Sequence, residues 1–247
     1  MIETPAIPEW IREFKHPGYT NVFSFLPKCE RLYGTETLFG DWGAEVLFLA
    51  KDAAPTHVIK SLAEKEAEKG KDVCGAWRHA QRGDAGGFRT NEQLVILANE
   101  IQCSKLYGSA TANMLCDDPR WSRALPDFKN GPLHDYLIEV LRWVVDKKQM
   151  PNLRVIACLG ADAWHLTCNA LDLTCNALDR EKESIKSRKY RDEDKYIVGK
   201  VGDREIAATS HYHPAARVSK EEKKRSWDNL ETVRQKMVLT PRDFVVL

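Results

Sequence analysis

The chain has 247 residues, 43% of them hydrophobic and 30% charged, which is typical of a globular enzyme with one large α/β domain over residues 1–247. Its 37 basic residues nearly cancel its 36 acidic ones, so the net charge neither indicates nor excludes a nucleic-acid ligand, which needs only a local basic face. No basic segment followed by an apolar one opens the chain, and no apolar run approaches the roughly 20 residues that cross a bilayer, so we expect neither a signal peptide nor membrane binding.

Four short runs rich in apolar and β-branched residues predict strands. Each run is apolar nearly throughout rather than alternating, as expected of strands that are buried on both faces. The runs are Val46 to Ala50, Ala110 to Leu115, Arg154 to Gly160 and Ile206 to Thr209. Their alternation with helical segments predicts a three-layer α/β/α sandwich around a central four-stranded parallel sheet. Ligands in such folds bind outside the carboxyl ends of the strands.

Two amphipathic stretches between these runs predict helices. Residues 92–101 and 133–145 each place their apolar side chains near one side, and the second does so with Leu137, Val140, Leu141 and Val144. Thr90 with Gln93, and Ser219 with Glu222, match the capping-box pattern and predict where two helices begin.

Three further segments bear on the organisation of the chain. Residues 1–40 are interpreted as a lead-in to the domain. The heptapeptide at 166–172 recurs letter for letter at 173–179, and because seven residues make about two helical turns, the duplication is predicted to lengthen a helix, either silently or as a partner surface. Residues 180–204 alternate in charge and predict an exposed, solvated hairpin that leads into the last strand.

The seven cysteines are scattered and form no Cys-x-x-Cys pair. An odd number without paired spacing is typical of reduced thiols, so we expect a cytoplasmic protein. The same spacing argues against structural zinc of the paired-cysteine kind.

Polar residues follow two of the predicted strands. Asp52 lies just past the first strand among small neighbours, where it can face a ligand, cap a helix or form a turn. Asn113 lies among apolar residues in the second strand region and must find partners, since an unsatisfied buried amide costs about 1–3 kcal/mol. Its donor and acceptor suit the edge of an amide or imide.

Two further features surround the remaining strand ends. Phe88 follows a glycine-rich loop that lacks the phosphate-binding motifs, and it either stacks on a flat ligand or packs in the core. His211 and His213 follow the last strand in the stretch TSHYHPAARVS. A histidine-pair metal site is the rival interpretation of this stretch, although no third ligand stands at a familiar spacing.

The order of these features along the chain, which is Asp52, Phe88, Asn113 and then His213, resembles the motif order of the uracil-DNA glycosylase superfamily, in a branch without an iron–sulfur cluster. The resemblance extends from Gly40 to Arg217. The segments that carry it are Leu49-Ala50-Lys51-Asp52, Gly87-Phe88, Ala112-Asn113, Val155 to Gly160, and Tyr212-His213-Pro214-Ala215-Ala216-Arg217.

The resemblance implies an activity and a site. In it, Asp52 activates water, His213 donates to uracil O2, Asn113 binds the uracil edge and Phe88 stacks on the flipped base. Lys51 and Ala53 belong to the same uracil-binding set, although Lys51 fits a phosphate contact or a surface charge as well. The residues implied in DNA contact and in filling the gap left by the base are Ala215, Arg217, Val218 and Ser219. The expected partners are uracil-containing DNA and free uracil, with no metal, no cofactor and a monomeric protein.

Three departures from the family pattern keep alternatives open. Cys29 stands alone near the N-terminus, so no iron–sulfur cluster is expected. Ala54 takes the place of the tyrosine that excludes thymine in the best-known branch, which leaves a glycosylase for mismatched thymine, hypoxanthine or another deaminated base in play. Ala215 replaces the usual serine.

A catalytically silent DNA-binding relative is the third hypothesis, although pure binding would not need Asp52.

Overall fold

The computed structural model of the protein describes residues 5–33, 42–50, 55–68, 103–118, 130–171, 196–212 and 218–239. The strands in these residues are β1 (Tyr19–Asn21), β2 (Val46–Ala50), β3 (Lys105–Ser109), β4 (Met114–Cys116), β5 (Val155–Leu159), β6 (Ile197–Val201) and β7 (Arg204–His211). The helices are α1 (Glu9–Glu13), α2 (Thr56–Glu68), α3 (Pro132–Val145), α4 (Ala161–Ala170) and α5 (Lys220–Leu239), with a 3-10 turn at Val22–Ser24.

The central sheet has five strands in the order β3-β2-β5-β7-β6. The first four are parallel to one another, and β6 pairs antiparallel with β7. The fold is therefore α/β with a mixed, mostly parallel sheet. Four of its strands are parallel, which is the predicted number, but a fifth, antiparallel strand extends the sheet that was predicted to be wholly parallel. A separate antiparallel pair joins β1 to β4.

Three of the four strand predictions are confirmed to within a few residues. Strand β2 has the predicted bounds, β5 lies inside the predicted run, and β7 is longer than predicted at both ends. The prediction for Ala110 to Leu115 was wrong. The strand of the sheet is Lys105–Ser109, and Ala110 to Asn113 forms a turn before β4. Continuous apolar character marks burial, and a buried turn shows it as well as a buried strand does.

The sheet separates two apolar layers, because side chains alternate along each strand. On one face, Leu47 and Leu49 of β2 pack in a core with buried residues of α2, α3 and α4. On the other face, Val46 and Phe48 pack with residues of α5 that include Leu230 and Val233. Helices therefore cover both faces, an arrangement compatible with a three-layer α/β/α sandwich.

The helix predictions have mixed outcomes. Helix α3 spans nearly the predicted residues, and its predicted apolar stripe is buried. The predicted helix over 92–101, with its capping box at Thr90, lies outside the described residues. Helix α4 ends at Ala170 with Leu171 as its C-cap. It therefore stops inside the first copy of the repeat, so one continuous helix across both copies is wrong. The second copy lies outside the described residues.

The exposed hairpin predicted for residues 180–204 lies mostly outside the described residues, which begin again at Tyr196. Strands β6 and β7 are joined by a two-residue turn, since Val201 pairs with Arg204 across Gly202 and Asp203. Gly202 has a φ of +62°, a left-handed conformation that glycine adopts without the steric cost of a Cβ.

The N-terminal segment packs on the domain rather than only leading into it. Ile11 and Leu26 are fully buried in the core that faces α3 and α4. Tyr33 lies against β3 so closely that a Cβ on Gly108 would come within 2.9 Å of its ring. This contact explains a glycine in the middle of a strand.

Two general features complete the description. Among the described cysteines, Cys103 and Cys158 are outside any disulfide bond. Among the described helices, none combines the length and apolar character that a membrane crossing requires.

Candidate functional site

The candidate site lies at the carboxyl edge of the parallel strands. Strands β3, β2, β5 and β7 run in the same direction and are adjacent, and Leu49, Cys158 and Ser210 are paired in register across three of them. Neighbouring strands lie about 4.8 Å apart, so the ends of β2 and β7 are separated by about 10 Å. Residues 51–54 follow β2 directly, and residues 213–217 follow Tyr212, which comes immediately after β7. The two segments therefore leave the same edge of the sheet.

Most of the predicted site residues lie outside the described residues. They are Lys51, Asp52, Ala53, Phe88, His213, Ala215 and Arg217, together with Ala54 at the gate position. The structure places the strand ends from which Asp52 and His213 depart, and their side-chain positions stay predictions. Asn113, Val218 and Ser219 are described.

Directly after residues 51–54, the start of α2 is held in place by hydrogen bonds. Pro55 and Thr56 are buried, and the Thr56 hydroxyl lies 2.6 Å from Asp117 Oδ1 and 3.1 Å from the Leu115 carbonyl oxygen. The Asp117 carboxylate also accepts from the hydroxyl of Thr20 in β1, at 2.7 Å. Residues 51–54 therefore connect two fixed points, the end of β2 and this hydrogen-bonded group beside β4.

Asn113 lies in a tight turn after β3. The chain leaves Ser109 through successive turns, with Ala112 N–H donating to the Ser109 carbonyl at 2.9 Å and Met114 N–H donating to the Thr111 carbonyl at 2.8 Å. Ala112 has a φ of +47°, in the left-handed region that residues with a Cβ rarely adopt. The turn leads into β4, which pairs with β1 outside the central sheet, so Asn113 does not continue β3.

The Asn113 side chain is fully buried and both of its polar groups are engaged by the protein. Its Nδ2 donates to the Ile11 carbonyl at 3.1 Å, and its Oδ1 accepts from the Tyr136 hydroxyl at 2.7 Å. Burial raises the pKa of the Tyr136 phenol, which keeps that hydroxyl protonated as the donor. Because the side chain has no exposed surface, a uracil could reach this amide only if the residues packed around it moved, so the predicted contact stays a prediction.

His211 ends β7 in a fully buried polar group. Its Nε2 lies 2.7 Å from Thr209 Oγ1 and its Nδ1 lies 2.8 Å from Ser226 Oγ on α5. The ring stacks on Trp227 with centroids 4.5 Å apart and planes at 1°. Both ring nitrogens are therefore occupied by hydroxyl partners, which argues against His211 as a metal ligand. Within the described ranges, no group of three His, Cys, Asp or Glu side chains could hold a metal ion.

The predicted capping box at the start of α5 is confirmed. Glu222 N–H donates to Ser219 Oγ at 3.1 Å, and Ser219 N–H donates to Glu222 Oε2 at 3.1 Å. Val218 is half-buried and Ser219 is exposed. The first two turns of α5 also expose Lys220, Lys224 and Arg225, cations of the kind that contact phosphates.

Sequence reasoning missed the partners of the two buried polar side chains. Tyr136, which holds Asn113, lies on α3 one position before the predicted apolar stripe. Ser226 lies on the α5 stripe that continues at Leu230 and Val233, with spacings of four and seven residues. A lone hydroxyl on an apolar stripe needs a polar partner, and that signal could have indicated the contact with His211.

A second histidine group joins α3 to α4. Asn169 Nδ2 lies 3.2 Å from His134 Nε2 and 3.3 Å from His165 Nε2, and the two rings are 5.6 Å apart. Desolvation lowers the pKa of His134, and the neighbouring His165 lowers it further, while Asp135 acts in the opposite direction. The neutral form of His134 is therefore favoured at this helix contact.

An open depression of about 550 Å³ lies at the opposite edge of the sheet, next to the β6–β7 turn and lined by Trp10, Arg142 and Trp143 among others. It is remote from the ends of β2 and β7, so it is not the predicted base pocket.

Comparison with known proteins adds no assignment: no protein-family model matches this chain, and no curated protein matches it significantly. The interpretation of the site therefore rests on its residues and on the arrangement of the strand ends.

Proposed function

We propose that the protein is a monofunctional uracil-DNA glycosylase, which hydrolyses the N-glycosidic bond of deoxyuridine in DNA and releases free uracil for base-excision repair. The observation that carries the proposal is the shared edge of β2 and β7. It brings the segment with Asp52 and the segment with His213 to strand ends about 10 Å apart. A separation of this size suits a pocket for one flipped pyrimidine nucleotide.

The chemistry assigns a role to each segment. Cleavage creates an oxocarbenium-like sugar and an anionic uracil. A carboxylate at Asp52 stabilises the cation and orients the attacking water, and an imidazole at His213 donates to uracil O2 as the base departs. Phe88 stacks on the extruded base, whose removal from the duplex costs a few kcal/mol.

DNA contact is supported by the start of α5. Lys220, Lys224 and Arg225 are exposed there, directly after the segment that carries Ala215 and Arg217. Phosphates neutralised by such side chains would position the duplex without specifying sequence. Arg217 and Val218 are proposed to fill the gap left by the flipped base.

A second candidate keeps the fold and the acid but changes the base. It is favoured by the Asn113 amide, whose donor and acceptor are both engaged by Ile11 and Tyr136. Ala54, in place of a methyl-excluding tyrosine, points the same way. Under this alternative, the protein releases mismatched thymine, hypoxanthine or another deaminated base.

The deciding experiment is base release by the purified full chain with and without chelator. Oligonucleotides that carry uracil, mismatched thymine or hypoxanthine are incubated with the protein, and free base and abasic sites are measured. We expect uracil release that survives chelation, and a loss of about 10²–10⁴-fold in Asp52→Asn. Asp203→Asn, in the exposed turn at the opposite edge, is the matched control and should keep the wild-type rate.

The other outcomes separate the alternatives. Release of a different base, with the same dependence on Asp52, would replace uracil with that substrate. Salt-dependent DNA binding without any released base would support the catalytically silent relative. A rate unchanged by Asp52→Asn would remove the acid from the mechanism.

A further inference from the structure

The segment of residues 213–217 is flanked on both sides by contacts to helix α5. On its N-terminal side, His211 bonds to Ser226 Oγ at 2.8 Å and stacks on Trp227, and both partners lie on the second turn of α5. On its C-terminal side, Ser219 and Glu222 close the capping box at the start of the same helix. One rigid element therefore holds both ends of the segment.

The two attachments differ in kind. The capping box is local in sequence and exposed, and it fixes where the helix begins. The His211 contact joins residues 15 apart, and His211 has no exposed surface. The His211 contact therefore ties the end of β7 directly to α5, in addition to the apolar packing of Leu230 and Val233 on the sheet.

We propose that His211 is a positioning residue, whose bond to Ser226 fixes the end of β7, two residues before His213, relative to α5. Its consequence for catalysis rests on the proposed function, whereas its effect on the backbone does not. A displacement of about 1 Å at a reacting group can lower a rate about 100-fold. Loss of a fixed attachment point two residues before His213 is therefore expected to lower the rate of base release measurably.

The geometry of the imidazole allows the two bonds to be separated. Nδ1 faces Ser226 on α5, and Nε2 faces Thr209 within β7. An asparagine side chain places its polar atoms near the position of Nδ1, and a glutamine side chain places them near Nε2. His211→Asn therefore keeps the link between the strand and the helix, and His211→Gln keeps only the link inside the strand.

The first measurement is uracil release. In His211→Gln we expect kcat to fall by about tenfold or more with KM changed by less than about threefold, because positioning affects the reacting groups more than the binding of DNA. In His211→Asn most of kcat should return. Val233→Ala is the control for general destabilisation, since Val233 is buried on the same helix in the apolar core; it should lower Tm while keeping kcat.

The second measurement does not depend on activity. Backbone amide exchange is followed at Tyr212 and Val218, which flank the segment, together with tryptic cleavage after Arg217. We expect both to accelerate in His211→Gln, and to stay near the wild-type rates in His211→Asn and in Val233→Ala. If the wild-type protein releases no base, the proposed function fails and this second measurement still decides the role of His211.

Two results would overturn the inference. One is equal exchange and cleavage in His211→Gln and the wild-type protein. The other is an equal loss in the glutamine and asparagine variants, which would mean that the bond to Ser226 has no special part.

Discussion

The ends of β3 and β7 lie at the same edge of one sheet, but the polar residues there, Asn113 and His211, are held by different elements. After β7, the chain continues past His211 toward the edge, and His211 is fixed from the side by α5. After β3, the chain turns at once, and Asn113 is directed into contacts with the N-terminal segment and α3. A shared edge therefore brings segments together, but contacts from other elements decide which side chains face a ligand.

The largest expected effect tests how firmly Asn113 is held. Tyr136→Phe removes the donor to Asn113 Oδ1 and leaves a buried acceptor unsatisfied, so we expect a loss of about 2 kcal/mol in the free energy of unfolding, measured with urea. Asn113→Ala should cost a similar amount, and the double variant should cost less than the sum. Additive losses would mean that the two side chains do not act as a pair.

Asn113→Ala and Tyr136→Phe also test whether Asn113 binds a ligand or only stabilises the core. If Asn113 binds uracil despite its contacts, Asn113→Ala should lower base release by orders of magnitude, whereas Tyr136→Phe should leave it near wild type or raise it by freeing the amide. If Asn113 serves only the core, neither variant should lower kcat beyond its effect on the folded fraction.

A smaller effect is expected in the turn that redirects the chain after β3. Ala112 and Ala110 are equally buried, each with 2% of its surface exposed, but only Ala112 has a positive φ. Glycine relieves the left-handed conformation at residue 112 alone, so Ala112→Gly should be about 1 kcal/mol more stable than Ala110→Gly. Thermal unfolding of the two variants gives the difference directly, and equal stabilities would contradict the strained turn.

The smallest effect is expected from protonation of His134 on α3, the helix that also carries Tyr136. Because burial lowers the pKa of His134 below its ordinary value of 6.5, the folded protein binds this proton less well than the unfolded chain does. The contribution to stability is therefore complete above pH 6.5 and is lost as the pH falls below it.

The measurement is Tm against pH for the wild type and two variants. His134→Gln keeps an acceptor for Asn169 and cannot titrate, so its acid loss should be smaller. Asp135→Asn removes the carboxylate that raises the pKa of His134, so its loss should be larger. Amide exchange at Met114 and Tyr212 would show whether acid loosens the β3 end before the β7 end.

Local patterns in the sequence determined much of the sheet and the start of one helix. Strands β2, β5 and β7 follow from continuous apolar runs, because a parallel strand covered on both faces buries every side chain. The capping box of Ser219 and Glu222 follows from residues three positions apart, since both partners lie within one helical turn.

Contacts between residues distant in the chain decided the rest. Whether Asn113 faces a pocket depends on Ile11 and Tyr136, 102 and 23 residues away, and no local pattern specifies those partners. Strand pairing explains why the second strand was misplaced. Strand β3 pairs residue by residue with β2 from Lys105 to Ser109, and this pairing ends before the apolar run Ala110 to Leu115, for which the strand was predicted. Sequence periodicity records which side chains are buried, whereas hydrogen bonds with neighbouring elements decide which of those buried segments are strands and where their polar groups point.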